Sequence, residues 1–150
     1  SMAIDEAKLN AFMGRFVGDL GAVAHAATVV VGDQLGLYKK LAQGATDVDT
    51  LARQTETDPR YLREWLSAQA ASGYVEYDPS TQRFSMTEEQ VMALAEEGRP
   101  AFIPGAFQTS VAIFKAIPKI MQVMRTGLGI RAGVNAGYLS YTRERNILPF

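Results

Sequence analysis

Few residues of this 150-residue sequence have the types and spacing that catalysis or metal binding requires. Cysteine is absent, which excludes disulfides and thiolate metal sites, and His25 is the single histidine, so a zinc site lacks a second imidazole. A serine–histidine–aspartate triad would also have to be built around His25, and the sequence places no such partners beside it. We expect His25 to be a packed helix residue, with contact to a substrate as the alternative, and we expect no catalytic or metal-binding residues.

One segment has the spacing of a nucleotide-binding loop. The sequence GLGIRA at residues 127–132 fits the pattern G-x-G-x-x-A. Such a site needs a strand before the loop, a helix after it and roughly thirty residues in all. The residues before Gly127 have a helical pattern, and only residues 133–150 follow. We therefore interpret the match as coincidence and expect no cofactor-binding residues in this chain.

Aromatic and basic side chains are the remaining candidates. Aromatic residues at helical spacing could line an apolar substrate pocket, although a packed core is the commoner role of such residues. The pocket candidates, together with His25, are Phe16, Phe102, Phe107 and Phe114. Arginines near the start of a helix could instead contact DNA. The DNA-binding candidates are Arg60, Arg63 and Arg83.

The first of the elements that carry these residues is a long helix. Apolar residues recur at i, i+3, i+4 and i+7 from Ile4 to about Leu41, which predicts one long helix or two in line, with Gly36 at a bend or a helix end. A second apolar strip runs along the same segment. A helix that is apolar on more than one side must be covered on more than one side, and a second subunit is a reasonable source of that cover.

Two shorter helices are predicted next. Thr46 or Asp47 can cap a helix from Val48 to Gln54, with Leu51 and Ala52 facing inward. Asp58 and Pro59 are a second start signal, for a helix from Arg60 to about Ser72 that Gly73 ends. The predicted inward face of that second helix consists of Tyr61, Leu62, Trp65, Leu66, Ala68 and Ala70.

A hairpin and two further helices complete the order. Two alternating runs, 74–77 and 82–86, flank the turn-forming residues 78–81 and predict a β-hairpin. Thr87 can then cap a helix that extends to about Glu97, and a last helix runs from about Ala106 to Thr126, with Pro118 as a kink or boundary. Helix-turn-helix followed by a hairpin is the order of a winged helix.

Charge argues against DNA as the partner of this winged helix. Residues 46–87 carry four arginines and seven acidic residues, which gives a net charge of −3. Binding to phosphates needs cations, and a wing that carries Glu76 and Asp78 with only Arg83 is poorly suited to it. Nucleic-acid binding is therefore disfavoured, and a DNA-binding transcriptional regulator remains the alternative.

Five short runs resemble the N-terminal domain of class I S-adenosylmethionine-dependent methyltransferases of the small-molecule O-methyltransferase type. They are QLGLYKKL at 34–41, DTLA at 49–52, DPRYLREWL at 58–66, ASGYV at 71–75 and RFSMT at 83–87. In that family, this region is a winged-helix dimerisation domain that helps to roof the substrate pocket of a separate Rossmann-like catalytic domain. The resemblance covers about residues 10–125 and implies a homodimer through the N-terminal helix, a small apolar or aromatic substrate, and S-adenosylmethionine bound elsewhere in the full-length protein.

The expected fold is mainly α: a winged helix with a long N-terminal helix and C-terminal helices. The expected division is an N-terminal dimerisation helix at 1–45, the winged-helix unit at 46–87, a helical substrate-cap or linker segment at 88–130, and an atypical tail at 131–150. The expected function is that of a methyltransferase dimerisation and substrate-cap domain, inactive alone. A sequence without cysteine suits a reducing cytoplasm. The sequence contains no run of eighteen apolar residues, so we expect no membrane span.

Overall fold

The computed structural model describes residues 4–127, which form six helices and a two-stranded antiparallel sheet. In chain order these elements are α1 (Glu6–Gln34), α2 (Leu37–Leu41), α3 (Val48–Thr55), α4 (Pro59–Ala71), β1 (Glu76–Asp78), β2 (Arg83–Ser85), α5 (Glu88–Leu94) and α6 (Pro104–Thr126). This order confirms the mainly helical winged-helix fold. The predicted tail at 131–150, and all of the GLGIRA motif beyond Gly127, lie outside the described residues.

Local hydrogen bonds explain where the helices of the winged helix begin. The Asp47 carboxylate accepts from the Thr50 backbone N–H at 2.8 Å and starts α3, and the Asp58 carboxylate accepts from two N–H groups of α4. Thr87 and Gln90 form a reciprocal capping box at α5. Left-handed Gly36, with φ 69°, separates α1 from α2. All four start or break positions match the sequence-based predictions.

Three details of the predicted helices were wrong. Tyr61 and Ala68 are exposed, whereas Gln69 is fully buried, because the inward face of α4 follows the spacing Leu62, Trp65, Leu66, Gln69. Helix α5 ends at Leu94 rather than near Glu97. Of the two alternatives predicted for Pro118, the boundary is wrong, since α6 continues through it along an exposed stretch where water can bond the carbonyl that loses its donor, and the kink stays a prediction.

The core lies where α1, α2, α3 and α4 meet, with the wing closing one side. Its largest fully buried side chains include Tyr38, Leu41, Leu51 and Leu66. The hairpin pairs Tyr77 with Phe84, and a single bridge from Phe84 to Thr46 joins the wing to the start of α3. The core is thus built by the short elements together with only the C-terminal part of α1.

A buried chain of hydrogen bonds fixes α1 to this core. The Tyr38 hydroxyl donates to Gln69 Oε1 at 2.6 Å, and Gln69 Nε2 donates to Thr28 Oγ1 at 2.8 Å. The Trp65 indole N–H donates to the Thr28 carbonyl at 2.9 Å. Burial raises the pKa of Tyr38 far above its usual value, so its hydroxyl remains a neutral donor. Residues of α2 and α4 therefore hold one point on α1 in place.

Candidate functional site

The N-terminal part of α1 leaves the core and presents an apolar surface. Helical spacing places its large apolar side chains on one side, roughly opposite the side on which Val29 and Gly32 pack. We call these exposed residues the α1 apolar face: Leu9, Phe12, Met13, Phe16, Leu20 and Val23. Phe12 is 65% exposed and Phe16 is 50% exposed, which is unusual for phenylalanine. Adjoining exposed apolar side chains of this extent mark an interaction surface.

Helix α1 also satisfies the length and composition criteria for a membrane span. An 18-residue window within it has a mean hydropathy of 1.3, and 22% of that window is buried. A long core helix of a folded domain can meet the same criteria. The C-terminal part of α1 packs against α2, α4 and α6.

Three glycines lie on a different side of the same helix. A Cβ added at Gly14, Gly18 or Gly21 would meet no other atom within 4 Å. By helical spacing these positions continue the side that carries Val29 and Gly32 into the core. The free part of α1, by which we mean its exposed residues 6–22, therefore has a large apolar face and, roughly opposite, a side with almost no side-chain bulk.

Helix α6 is the second long element with an uncovered surface. Its start is anchored by the buried residues Pro104, Gly105 and Ala112. Beyond them, one side is apolar and exposed, and we call it the α6 apolar face: Ile113, Phe114, Ile117, Met121 and Met124. The charged residues of this helix are Lys115, Lys119 and Arg125, with no acid among Pro104–Thr126. The helix is therefore amphipathic and basic.

A groove of about 260 Å³ lies between α1 and α6. The α1 side is formed by Val23, Ala26, Ala27 and Val30, and the α6 side by Phe107, Ser110, Val111, Ile113 and Phe114. Ser110 supplies the one polar side chain of this lining, so the groove suits an apolar ring or side chain and offers no reactive group. Of the predicted pocket residues, Phe107 and Phe114 meet here. Phe16 lies on the α1 apolar face, and Phe102 is buried outside the lining.

His25 lies behind the groove, in contact with two aromatic rings. Its ring stands edge-on to Tyr74, with 4.3 Å between centroids, and to Phe107, with 6.2 Å. Its Nε2 atom is buried and has no hydrogen-bond partner among the described residues. Burial lowers the pKa of His25 below its ordinary value of 6.5. The ring thus packs against Tyr74 and Phe107, and contact of His25 with a substrate stays a prediction.

A second groove, of about 540 Å³, occupies the position between α3, α4 and the wing. Arg63 lines it together with the carboxylates of Asp47 and Asp49. Hydrogen bonds from the Thr50 N–H and hydroxyl lower the pKa of Asp47, so this carboxylate is charged at neutral pH. The other two candidate arginines, Arg60 and Arg83, are exposed outside this lining, and Arg60 lies 5.6 Å from the centre of the Tyr61 ring.

Two kinds of residue at these sites were not predicted from the sequence. Ala27, Val30 and Val111 line the groove between the long helices, and their helical spacing relative to Val23 and Phe107 is the signal that could have identified them. Gln69 and Thr28 form the buried polar chain, for which a single sequence contains no local signal.

Residues 23–96 match the family described as the Rv2258c-like winged HTH domain. Residues 23–96 of this chain are an Rv2258c-like winged HTH domain. The domain begins within α1 and ends just beyond α5, so it contains the helix-turn-helix and the wing. The first part of α1 and the whole of α6, which carry most of the exposed apolar surface, lie outside the matched residues.

Solved structures extend the likeness beyond the Rv2258c-like domain. Mitomycin 7-O-methyltransferase MmcR superposes with a TM-score of 0.68 at 19% identity, over 95% of this chain and 42% of that chain. The N,N-8-amino-8-demethyl-D-riboflavin dimethyltransferase RosA from Streptomyces davawensis gives 0.65 at 20%, over 87% and 37%. CalO1, a methyltransferase in calicheamicin biosynthesis solved in its SAH-bound form, gives 0.62 at 17%, over 96% and 42%.

These likenesses show the fold alone, because each sequence identity is below 25%. The chain spans about two fifths of the length of the enzymes that it matches. No curated protein matches the chain significantly.

Proposed function

We propose that this chain is the dimerisation and substrate-cap domain of an S-adenosylmethionine-dependent methyltransferase. The observation that carries the proposal is the pair of exposed apolar faces on α1 and α6, beside a groove that an apolar ring would fill. The shared fold with parts of MmcR, RosA and CalO1 supports it. Covering these faces with a second copy of the same chain would bury both phenylalanines of the α1 apolar face.

The described residues do not fit S-adenosylmethionine itself. A binding site of the expected type needs a glycine-rich turn between a parallel strand and a helix. Within residues 4–127 the strands are β1 and β2, which pair antiparallel with each other in the wing. We therefore assign the cofactor and the methyl transfer to the rest of a full-length protein, and propose that residues 4–127 supply assembly and part of the wall around a small apolar or aromatic substrate.

The alternative function, DNA binding, has less support in the same geometry. A winged helix that reads DNA needs cations along the helix α4 side and on the wing. Here two carboxylates share the groove with Arg63, and the wing carries Glu76 and Asp78.

The absence of cysteine from the sequence fits the proposed cytoplasmic location.

Sedimentation equilibrium tests the assembly proposal. We expect a dimer at micromolar concentration, and we expect Phe12→Asp or Phe16→Asp to weaken it at least about tenfold, because each would bury an unpaired charge. Met92→Asp is the matched control, since Met92 is also an exposed apolar side chain but lies on α5, outside both apolar faces. A wild-type chain that remains monomeric would exclude this assembly, and co-sedimentation with lipid vesicles would instead assign the α1 apolar face to a membrane.

A further inference from the structure

His25 lies where three separate segments of the chain meet. It belongs to α1, its ring is edge-on to Tyr74, which follows the end of α4, and it faces Phe107 near the start of α6. The Thr28 hydroxyl donates to the backbone carbonyl of His25 at 2.7 Å. This hydroxyl therefore bonds the backbone of His25 and not its imidazole ring. The ring is therefore held by aromatic contacts, near the place where Phe107 of α6 also packs against the core of the winged helix.

The surroundings of this ring suit an uncharged imidazole. Nε2 is buried with no partner among residues 4–127. The titratable group that faces the ring is the Tyr74 phenol. On α6 the contact is made by Phe107, and the adjacent Gln108 is also uncharged. Protonation would place a positive charge in this apolar contact, which burial disfavours. The other buried side-chain atom without a hydrogen-bond partner among residues 4–127, Gln108 Oε1, is neutral and cannot balance that charge.

We propose that His25 is a pH-sensitive contact that holds the start of α6 against α1 when its ring is neutral and releases α6 when the ring is protonated. The anchored part of α6, Pro104–Ala112, carries Phe107 into the groove, so its release would open that groove. This inference is independent of the proposed methyltransferase role, because it depends only on contacts within one chain.

The direction of the effect follows from proton linkage. Burial lowers the pKa of His25 in the closed state, and opening returns it to the ordinary value of 6.5. Above 6.5 neither state binds the proton, so closure does not depend on pH. Below 6.5 the open state binds the proton first, and opening becomes easier by up to about tenfold per pH unit, the limit for one proton. The effect levels off below the lowered pKa.

Hydrogen exchange of the wild-type chain, corrected for intrinsic pH dependence, is the test. We expect amides near the start of α6 to exchange faster as the pH falls below 6.5, while amides of α3 and α4 keep their protection. Since His25 is the single histidine, its ring resonances report the titration without overlap. We expect its midpoint below 6.5, at the pH below which the change in the α6 amides levels off.

His25→Phe provides the matched variant, because it keeps an aromatic ring against Tyr74 and Phe107 but cannot titrate. The variant is expected to lose the pH dependence at α6 and to keep the fold. The inference is overturned if the variant retains that dependence, if α3 and α4 open together with α6, or if His25 titrates in wild type with no change at α6. If the variant does not fold, the last two outcomes are still measurable on wild type.

Discussion

The indole of Trp65 lies against the backbone of Gly32, so closely that no side chain fits between them. A Cβ added at Gly32 would overlap the Trp65 ring and approach Tyr38 Cε2 to 2.9 Å. The same indole donates its N–H to the Thr28 carbonyl, one helical turn earlier. The side chains of α2 and α4 thus contact the backbone of α1 directly, which sets how closely the long helix approaches the winged helix.

Gly32→Ala should therefore destabilise the protein, although alanine is the better helix former. Overpacking of this kind costs about 1–3 kcal/mol in the free energy of unfolding, measured by urea denaturation. Gly18→Ala is the control, because no atom lies within 4 Å of the added Cβ. In dilute monomeric protein, Gly18→Ala should be neutral or stabilising by up to about 1 kcal/mol. Equal effects of the two substitutions would contradict the close contact with Trp65.

Gln69→Leu should cost more than a typical surface substitution. It leaves the buried Tyr38 hydroxyl without its acceptor and removes the donor to Thr28 Oγ1, which keeps its own bond to the His25 carbonyl. Buried unsatisfied polar groups cost about 1–3 kcal/mol each. We further expect Tyr38→Phe to be less damaging in the Gln69→Leu background than alone, as a double-mutant cycle in urea would measure. Additive effects would show that the Tyr38 and Gln69 side chains are not coupled.

Duplex DNA should not bind with the steep salt dependence of a DNA-binding winged helix. We expect fluorescence anisotropy to detect no complex at low salt, and Arg63→Ala to change nothing, because Asp47 and Asp49 line the same groove. Asp49→Lys combined with Glu76→Lys should create weak, salt-sensitive binding. A tight complex of the wild type that Arg63→Ala weakens would restore DNA recognition as the function.

Asp47 should contribute acid sensitivity to the winged helix. Hydrogen bonds from the Thr50 N–H and hydroxyl hold its folded-state pKa below the ordinary value of 3.8. Its stabilising contribution is therefore complete above 3.8 and is lost as the pH falls through the lowered folded value. Asp47→Ser, which retains a neutral cap, should be less stable than wild type at neutral pH and approach it in strong acid. Urea midpoints that differ equally at both pH values would contradict this assignment.

Features set by neighbouring residues were predictable from sequence. The caps at Asp47, Asp58 and Thr87 depend on bonds within one turn, and the break at Gly36 depends on a left-handed backbone that glycine adopts easily. Tyr61 was placed on the wrong side because two positions near the edge of a helical face look alike until the packing partner is known. Such choices are made by tertiary contacts, which a single sequence does not contain.

The candidate surface was only partly predictable, for a related reason. The apolar pattern of α1 indicated more than one covered side, but it did not indicate which side the chain covers with its own core. Phe107 and Phe114 share a groove, whereas Phe16 and Phe102 lie elsewhere, because α6 crosses α1 at its C-terminal part rather than along its length. That crossing depends on the loop between α5 and α6, where the Ile103 backbone N–H donates a hydrogen bond to the Ala93 carbonyl.

The free part of α1 has a consequence for how the chain acquires its structure. It lacks tertiary packing, and three unshielded glycines lie within it at Gly14, Gly18 and Gly21. Isolated helices of this length are marginal in water, and each glycine weakens them by about 1 kcal/mol relative to alanine. Its folding is therefore coupled to whatever covers it. The helical content of the chain should rise with protein concentration, as circular dichroism would record, because the N-terminal part of α1 becomes fully helical only when a second copy covers it.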